Sequence, residues 1–268
     1  MKKLLIFSFA SMMVVACRQA IEPNNSAAVE NQQSADKKGD EPTTPEATEI
    51  WEPIPPKVAP FAQNGVPSDA LVLFDGTNFD EWEMTADSSA VKWTLNPDGS
   101  MTVKDKTGNI QTKKAFGSVQ LHIEWRSEPE NKQEGQNRSN SGVFLQKRYE
   151  VQVLDNNDNP TYVNGMVASV YKQSIPMAMA SVPSGEWNTY DIIFHAPEFN
   201  DDETLAKAAT VTVLHNGVLV QDHFEIEGPV EYIGWPEYKA HGKAPLELQD
   251  HQDNSGVSYR NIWIRELD

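Results

Sequence analysis

"RSNSGVFLQKRYEVQVLD", residues 138–155, is the stretch whose pattern decides the fold. It predicts two antiparallel β-strands, over 141–146 and 149–154, that are joined by a tight turn at Lys147-Arg148. Each segment has the length of an ordinary strand and is rich in β-branched and aromatic residues. The stretch therefore predicts a β-hairpin, preceded by a short polar run.

From Tyr149 to Val153, the second predicted strand alternates between apolar and polar residues. Successive side chains of a strand point to opposite faces, so Val151 and Val153 should face a core while Glu150 and Gln152 face outward. An ordinary solvated face would suit Lys, Thr or Ser at these outward positions. A Glu and a Gln there raise the possibility of a binding or catalytic surface.

The same kind of pattern continues on both sides of this hairpin. "VKWTLNPDGSMTV" (91–103) predicts a hairpin across Asn-Pro-Asp-Gly, and "ATVTVLHNGVLVQD" (209–222) predicts one on Asn216-Gly217, the strongest short hairpin signal. Only "DETLAKAA" (202–209) has a helical pattern. Many short strands with turn residues between them indicate an all-β sandwich or barrel, here over residues 61–268.

The composition limits the classes of partner. The chain has 268 residues, a net charge of −17 and an isoelectric point near 4.7. Proteins that bind nucleic acid without sequence specificity need a basic surface, so we predict no nucleic-acid partner. The single cysteine, at position 17, allows no disulfide within one chain, and packing must stabilise the fold.

The N-terminal residues predict export and a lipid anchor. Residues 1–16 combine two lysines with an apolar run too short to span a bilayer, which is typical of a signal peptide. The run ends in "VVAC", which resembles a lipobox and implies a bacterial lipoprotein that is cleaved before Cys17 and lipidated on it. Residues 17–60, rich in Pro and Glu, predict a disordered tether. We therefore expect a protein of the cell envelope attached to a membrane, with the outer membrane favoured and the side left open.

Polar side chains recur at the outward positions of several predicted strands. Alternation around buried Leu, Ile and Trp residues gives an outward set of Glu150, Gln152, His122, Glu124, Arg126, Glu247, Gln249, His251, Asn261 and Trp263. Lysine is nearly absent from this set, whereas Gln, Asn, Arg and Trp are side chains that bind sugar hydroxyls and stack on sugar rings. We interpret the set as one polar face that binds carbohydrate.

The motifs of the chain also resemble a known family. In order they are "LFDGTNFDEW", "LHIEWR", "GQNRSNSGVFLQKRYEVQVLD", "ASVYK", "GEWNTYDIIFHAP", "VTVLHNGVLVQ" and "PLELQDH…YRNIWIREL", over about residues 71–267. Together they resemble the 3-keto-disaccharide hydrolase family. The resemblance implies a concanavalin A-like jelly-roll β-sandwich with a site on a concave polar sheet face. It also implies action on glycosides whose sugar is oxidised to a ketone at C3. The family's usual Q-D-H-G is Q-D-H-Q at 249–252, which puts the shape of that loop in question.

The residue types fit an elimination reaction on such a substrate. A C3 ketone acidifies the C2 hydrogen, so a base can form an enolate that expels the group at C1, and water can then add back. The candidate acids and bases are Glu150, His251, Glu124 and Asp155. The candidate substrate-binding residues are Arg138, Asn140, Gln152, Gln249 and Trp263. The strand that carries Glu150 is expected to serve proton abstraction.

Two other functions and one cofactor stay open at this point. The fold class also hosts lectins, so a carbohydrate-binding lipoprotein without catalysis is one alternative. An ordinary retaining glycosidase is the other, because Glu150-x-Gln152-x-x-Asp155 is spaced like the acidic strand of retaining β-glucanases. No motif requires a cofactor, although Asp155, Asp250, His251 and Glu124 are residue types that bind divalent cations.

Overall fold

Alternating apolar and polar residues form fifteen β-strands in the part of the chain that is described, residues 43–60, 62 and 65–268 of a computed structural model. The strands make two antiparallel sheets, packed face to face, and one short hairpin. The eight-stranded sheet contains β13 (Val218–Glu225), β12 (Thr210–His215), β9 (Asn188–His195), β6 (Val119–Arg126), β15 (Ser258–Glu266), β4 (Met101–Thr102) and β3 (Thr94–Leu95) in this spatial order, with β1 (Leu71–Phe74) also paired to β15. The five-stranded sheet contains β2 (Trp82–Met84), β5 (Ile110–Phe116), β14 (Ala244–Leu248), β7 (Ser141–Leu145) and β8 (Tyr149–Val153) in this order. The hairpin is β10 (Glu198–Phe199) with β11 (Leu205–Lys207).

The core lies between the two large sheets, as the alternation predicts. In β6, Leu121, Ile123 and Trp125 are almost fully buried, and the residues between them are half-buried on the outer face. In β8, Val151 and Val153 are buried in the same core. Burying a side chain of this size stabilises the fold by about 1.5–3 kcal/mol before entropy is counted. The predicted all-β jelly-roll sandwich is confirmed.

The predicted hairpins form with the turn chemistry that the sequence gives them. Asn216 and Gly217 both have positive φ, 52° and 77°, which is the requirement of a two-residue type I′ turn between β12 and β13. The opening hairpin turns at Gln146 and Lys147, which also have positive φ, and Arg148 N donates to Leu145 O at 3.1 Å. This turn therefore begins one residue earlier than predicted.

The helix predicted over 202–209 is wrong. Leu205–Lys207 is strand β11, which pairs with β10, and its three residues are exposed. A segment this short cannot nucleate a stable helix by itself, so pairing with a neighbouring strand decides its conformation.

The predictions for residues 1–16 and Cys17 lie outside the described residues, and so does the tether up to residue 42. The described residues 43–52 are exposed and contain one short 3₁₀ helix, Pro45–Thr48. The compact unit that carries the sheets begins at Pro53. Within the described ranges no helix is both long and apolar enough to cross a membrane.

Candidate functional site

The predicted single polar face is two faces on opposite sides of the sandwich. Glu150 and Gln152 lie on β8 in the five-stranded sheet, whereas Glu124 and Trp263 lie on β6 and β15 in the eight-stranded sheet. Glu124 and Trp263 therefore do not share a site with Glu150, and that part of the prediction is wrong. Alternation shows which side of a strand faces the core, but it does not show to which sheet the strand belongs.

The outer face of the five-stranded sheet holds a cavity of about 320 Å³, which is within the range of small-molecule sites. It brings together five of the predicted site residues. The cavity is lined by Gln136, Asn140, Phe144, Glu150, Gln152, Tyr171, Val230, Tyr232, Gln249 and His251. The chain therefore assembles a carboxyl, an imidazole and several carboxamides around one space.

Glu150 is the unusual group in this cavity. It is only 5% exposed, and its carboxyl has no hydrogen-bond or ion-pair partner among the described residues. Burial raises the pKa of Glu150 from 4.5 to about 8, because the charged form is desolvated and no partner compensates. Gly142 on β7, which pairs with the neighbouring Gln152, leaves the space for the carboxyl, since a Cβ at Gly142 would collide with Glu150 Oε1. Glu150 is thus a carboxylic acid that holds its proton at neutral pH.

The outward-facing Glu150 is buried because a loop covers the edge of β8. Val170 forms an antiparallel bridge with Val151, and Tyr171 N donates to Glu150 O at 3.4 Å. Gln152 exchanges backbone hydrogen bonds with this loop through Ala168 and Ser169. The loop therefore extends the sheet by one irregular strand and places Tyr171 at the cavity.

His251 and Asp253 form a second ionisable group at the same cavity. His251 Nδ1 lies 2.8 Å from Asp253 Oδ2. A carboxylate at this distance accepts the Nδ1 proton, which leaves Nε2 able to accept a proton from a bound molecule. His251 is half-buried and lines the cavity, so the pair is arranged as a general base and the residue that orients it.

The loop that carries His251 is fixed by its neighbour. Asp250 Oδ2 accepts from Gly108 N at 2.9 Å, and Asp250 Oδ1 accepts from Gln252 N at 3.0 Å. Gln252, at the position where the family that the motifs resemble usually has glycine, has φ of +61°. The loop therefore adopts a left-handed turn without glycine, at a cost of about 1 kcal/mol for the residue.

Three carboxamide oxygens at the site have no partner. Asn140 Oδ1, Gln152 Oε1 and Gln249 Oε1 are buried and accept no hydrogen bond among the described residues. Each buried unpaired acceptor costs about 1–3 kcal/mol. All three residues line the cavity, so a ligand with several hydroxyl donors would satisfy them.

Arg138 and Asp155, both predicted at the site, do not line this cavity. Arg138 Nε lies 3.3 Å from Asp155 Oδ2, and the Arg138 guanidinium also donates to Asn157 O. Asp155 Oδ2 accepts further from Ser184 Oγ at 2.6 Å, and the pKa of Asp155 is lowered by these hydrogen bonds and by Arg138 despite its burial. The pair anchors the loop after β8, so the predicted catalytic role of Asp155 and the predicted substrate contact of Arg138 have no support from their positions.

The four residues whose types suit a divalent cation, Asp155, Asp250, His251 and Glu124, do not lie together. Asp155 is paired with Arg138, Asp250 accepts backbone N–H groups, and Glu124 lies on the other sheet. In the described ranges no group of three or more His, Cys, Asp or Glu side chains could hold a metal ion.

The other predicted acid, Glu124, belongs to a charge network on the eight-stranded sheet. Its carboxylate accepts from Arg260 Nε at 2.6 Å and from Asn261 Nδ2 at 2.8 Å. His122 lies between Glu124 and Asp191, and hydrogen bonds to these carboxylates raise its pKa to about 9 against the effect of burial. Trp263 stacks on His122 with ring centres 5.2 Å apart. These partners satisfy one another, as in a structural network.

A larger cavity, of about 620 Å³, lies away from these residues and is formed by loop side chains that include Glu130, Lys132 and Gln133. These three side chains are exposed to solvent. The smaller cavity is the better candidate because it alone of the two contains a buried carboxyl without a partner and unpaired carboxamides.

Several lining residues were not predicted from the sequence. Phe144 occupies an outward position on β7, between the buried Val143 and Leu145, so the alternation of inward and outward residues along the strand could have identified it. Tyr171 and Tyr232 lie in loops, where no periodicity marks them. Asp253 is two residues from His251, and only the folded loop shows that they pair.

Comparisons with known proteins identify the family and the fold. The family described as the 3-keto-alpha-glucoside-1,2-lyase-like domain matches residues 69–265. A crystal structure of a candidate glycosyl hydrolase from Parabacteroides distasonis ATCC 8503 is 50% identical, with a TM-score of 0.79, over 83% of this chain and 96% of that one.

Two further crystal structures of candidate glycosyl hydrolases from the same organism share the fold. One is 21% identical with a TM-score of 0.56, over 75% of this chain and 94% of that one. The other is 20% identical with a TM-score of 0.51, over 74% and 98%. No curated protein matches the sequence significantly. The family match and the 50% identity together show that this chain belongs to the 3-keto-alpha-glucoside-1,2-lyase-like family.

Proposed function

We propose that the protein cleaves 3-keto-glycosides, including 3-keto-disaccharides, by elimination followed by addition of water. The observation that carries the proposal is that the protonated Glu150 carboxyl and the imidazole of the His251–Asp253 pair line the same cavity. One group can donate a proton while the other accepts one, as elimination requires. The family membership supports a keto sugar as the substrate.

The two groups divide the reaction between them. His251 Nε2 removes the C2 hydrogen, and the electrons form an enolate whose charge rests on the C3 oxygen. Glu150 protonates the oxygen at C1, the C1–O bond breaks and a C1=C2 double bond forms. Water then adds its hydroxyl to C1 and loses a proton to Glu150, while the imidazolium returns a proton to C2. Each residue ends as it began.

The carboxamides bind and orient the sugar in this scheme. The side-chain amide of Gln249 donates to no described group, so it is available to the C3 oxygen as negative charge develops there. The Nε2 of Gln152 and the Nδ2 of Asn140 donate to groups of the loop that contains Gln136, which holds them in place. Their free oxygens accept sugar hydroxyls.

The position of Asp155 weighs against a retaining glycosidase. That mechanism needs a second carboxyl about 5–5.5 Å from the nucleophile, free to donate a proton. Asp155 instead lies in the Arg138 pair with its pKa lowered. A lectin would not require Glu150, because an isolated buried carboxyl weakens folding without adding to sugar binding that carboxamides already provide.

Turnover in D₂O tests the elimination directly. We expect the 3-keto-glucose released from a 3-keto-glucoside to carry deuterium at C2, because the His251 imidazolium exchanges its proton with solvent before it returns one to C2. The measurement is NMR or mass spectrometry of the product, with 3-keto-glucose incubated without protein as the control for spontaneous exchange. Product that retains only its original hydrogen at C2, from a substrate whose C2-deuterated form is cleaved equally fast, would exclude elimination.

We also propose that the protein acts at the cell envelope, anchored by lipid on Cys17, on the strength of the "VVAC" run at 14–17. Cys17→Ser should remain unlipidated, and the protein should leave the membrane fraction or keep its signal peptide. The check is fractionation with metabolic labelling by a fatty acid. Equal membrane partitioning of mutant and parent would contradict the anchor.

A further inference from the structure

A loop beside the cavity is built to present aromatic side chains to solvent. We define the rim loop as residues 228–237, between β13 and β14. Its two ends meet, because a Cβ at Gly228 would lie only 2.9 Å from Glu237 N. Just outside it, the Tyr238 hydroxyl donates to Ile226 O at 2.8 Å. A loop closed at its base in this way is an Ω-loop, a class that is frequently functional.

The tip of the rim loop carries three large apolar residues that are exposed to solvent. Tyr232 is 76% exposed, Ile233 83% and Trp235 91%. Single exposed apolar residues are normal on a protein surface, but three within four positions form a patch. Trp235 has no ring contact or hydrogen bond in the described structure, so packing within the fold does not account for its presence.

The rim loop connects the candidate active site to a second cavity. Val230 and Tyr232 line the 320 Å³ cavity that holds Glu150. Trp235 lines a neighbouring cavity of about 410 Å³. Tyr171 lines both cavities, so the two spaces adjoin. A substrate with one ring at Glu150 would extend its second group toward Trp235.

Lys172 fixes the rim loop at this junction. Its Nζ donates to Tyr232 O at 2.5 Å and lies 4.5 Å from the centre of the Tyr232 ring. The Tyr171 hydroxyl is in turn 2.7 Å from that of Tyr162, which also lines the second cavity. Tyr162, Tyr171 and Tyr232 are therefore positioned before any ligand arrives, which lowers the entropy cost of binding.

We propose that the second cavity binds the leaving group of the substrate, a neutral sugar ring that stacks on the indole of Trp235. The proposal rests on the proposed function and assigns the residues that bind the leaving group. The chemistry of the lining favours a sugar, because an apolar ring face would meet Trp235 while hydroxyls would meet Asn164, Glu227 and Glu231. A lipid chain would have to bury these exposed carboxylates, which is costly.

The test compares two substrates with three forms of the protein: parent, Trp235→Ala and Trp235→Phe. With an α-linked 3-keto-disaccharide, we expect W235A to raise KM about tenfold and leave kcat within about twofold, and W235F to restore most of the loss. With methyl 3-keto-α-glucoside, whose leaving group cannot reach Trp235, all three forms should behave alike. An equal effect of W235A on both substrates, or none on the disaccharide, overturns the proposal.

A binding measurement separates this inference from the proposed function. The unoxidised disaccharide has the same second ring but no ketone, and titration calorimetry measures its Kd without turnover. A Kd about tenfold weaker for W235A than for parent and W235F supports the subsite, even if no 3-keto-glycoside is cleaved. Equal Kd values for the three forms, or no binding of the disaccharide to the unmutated protein, would overturn the subsite proposal, even if the unmutated protein cleaves the 3-keto substrates.

Discussion

Glu150→Gln should lower the turnover of a 3-keto-glycoside by at least about a hundredfold, the usual scale for losing a general acid or base. Gln has the same shape as Glu but no proton to give to the leaving oxygen. Replacing His251 with Ala should have an effect of similar size, because it removes the base. The measurement is kcat and kcat/KM of purified variants, with circular dichroism to confirm folding.

The stability of Glu150→Gln should move in the opposite direction to its activity. Below pH 4.5 Glu150 is protonated in both the folded and the unfolded chain. Between pH 4.5 and about 8 only the folded chain keeps the proton, so its stability falls as pH rises. Gln does not titrate, so at pH 8 the free energy of unfolding of E150Q should exceed that of the unmutated protein by on the order of a few kcal/mol. The melting temperature of E150Q should be higher accordingly. A variant that is more stable and less active marks a functional group.

Glu247→Gln is the matched control on the same sheet face. Glu247 is also buried, but its carboxylate accepts from Asn109 Nδ2 at 2.8 Å and lies 4.0 Å from Lys147 Nζ. It does not line the cavity. E247Q should keep its activity within about threefold, since it removes a charge but no group of the proposed reaction. If folded E150Q turns over like E247Q, the chemistry lies elsewhere.

The pH dependence assigns the role of Glu150. As the acid, Glu150 must hold its proton in the free protein, so kcat/KM should fall as pH rises through about 8. A profile that rises through the same pH would make Glu150 the base, which is the role that its strand suggests from sequence alone. In either case, the kcat/KM of the remaining activity of E150Q should not change with pH around pH 8.

Much of the fold could be predicted because it depends on local patterns. Alternation around Val151 and Leu121 identifies core positions, and Asn216-Gly217 identifies a turn whatever its neighbours are. Glu150 and His251 could be predicted as outward polar residues of a strand and of the loop after a strand. These features depend on a few consecutive residues, which the sequence displays directly.

The remaining features of the site depend on contacts between distant segments. Outward positions on their strands group Glu124 with Glu150, but strand pairing places the two residues on different sheets. The high pKa of Glu150 comes from a loop near Tyr171 that covers β8, and the lowered pKa of Asp155 comes in part from Arg138, seventeen positions away. Pairing of strands and covering by loops are long-range events, and one sequence without its fold does not specify them.

The unoxidised parent glycoside should be cleaved at least about a thousandfold more slowly than its 3-keto derivative, a difference of about 4 kcal/mol in activation free energy. The two molecules differ only at C3. Without the carbonyl, no enolate can carry the negative charge when the C2 hydrogen is removed, and the proposed donor at Gln249 has no developing oxyanion to stabilise. The measurement is release of the same leaving group from both compounds by the same protein.

The parent glycoside is also the control for binding in this comparison. It has every hydroxyl of the keto substrate and a further hydroxyl at C3 in place of the carbonyl, so it should inhibit cleavage of the keto substrate competitively, with an inhibition constant within about tenfold of KM. Inhibition without cleavage would locate the difference in the chemical step and not in recognition.

Cleavage of the unoxidised glycoside at a rate within tenfold of that of the keto substrate would contradict elimination. Glu150 would then have to act as a nucleophile, which requires a second free carboxyl about 5–5.5 Å away. Asp155, held by Arg138 and Ser184, could supply one only if that ion pair opened during the reaction.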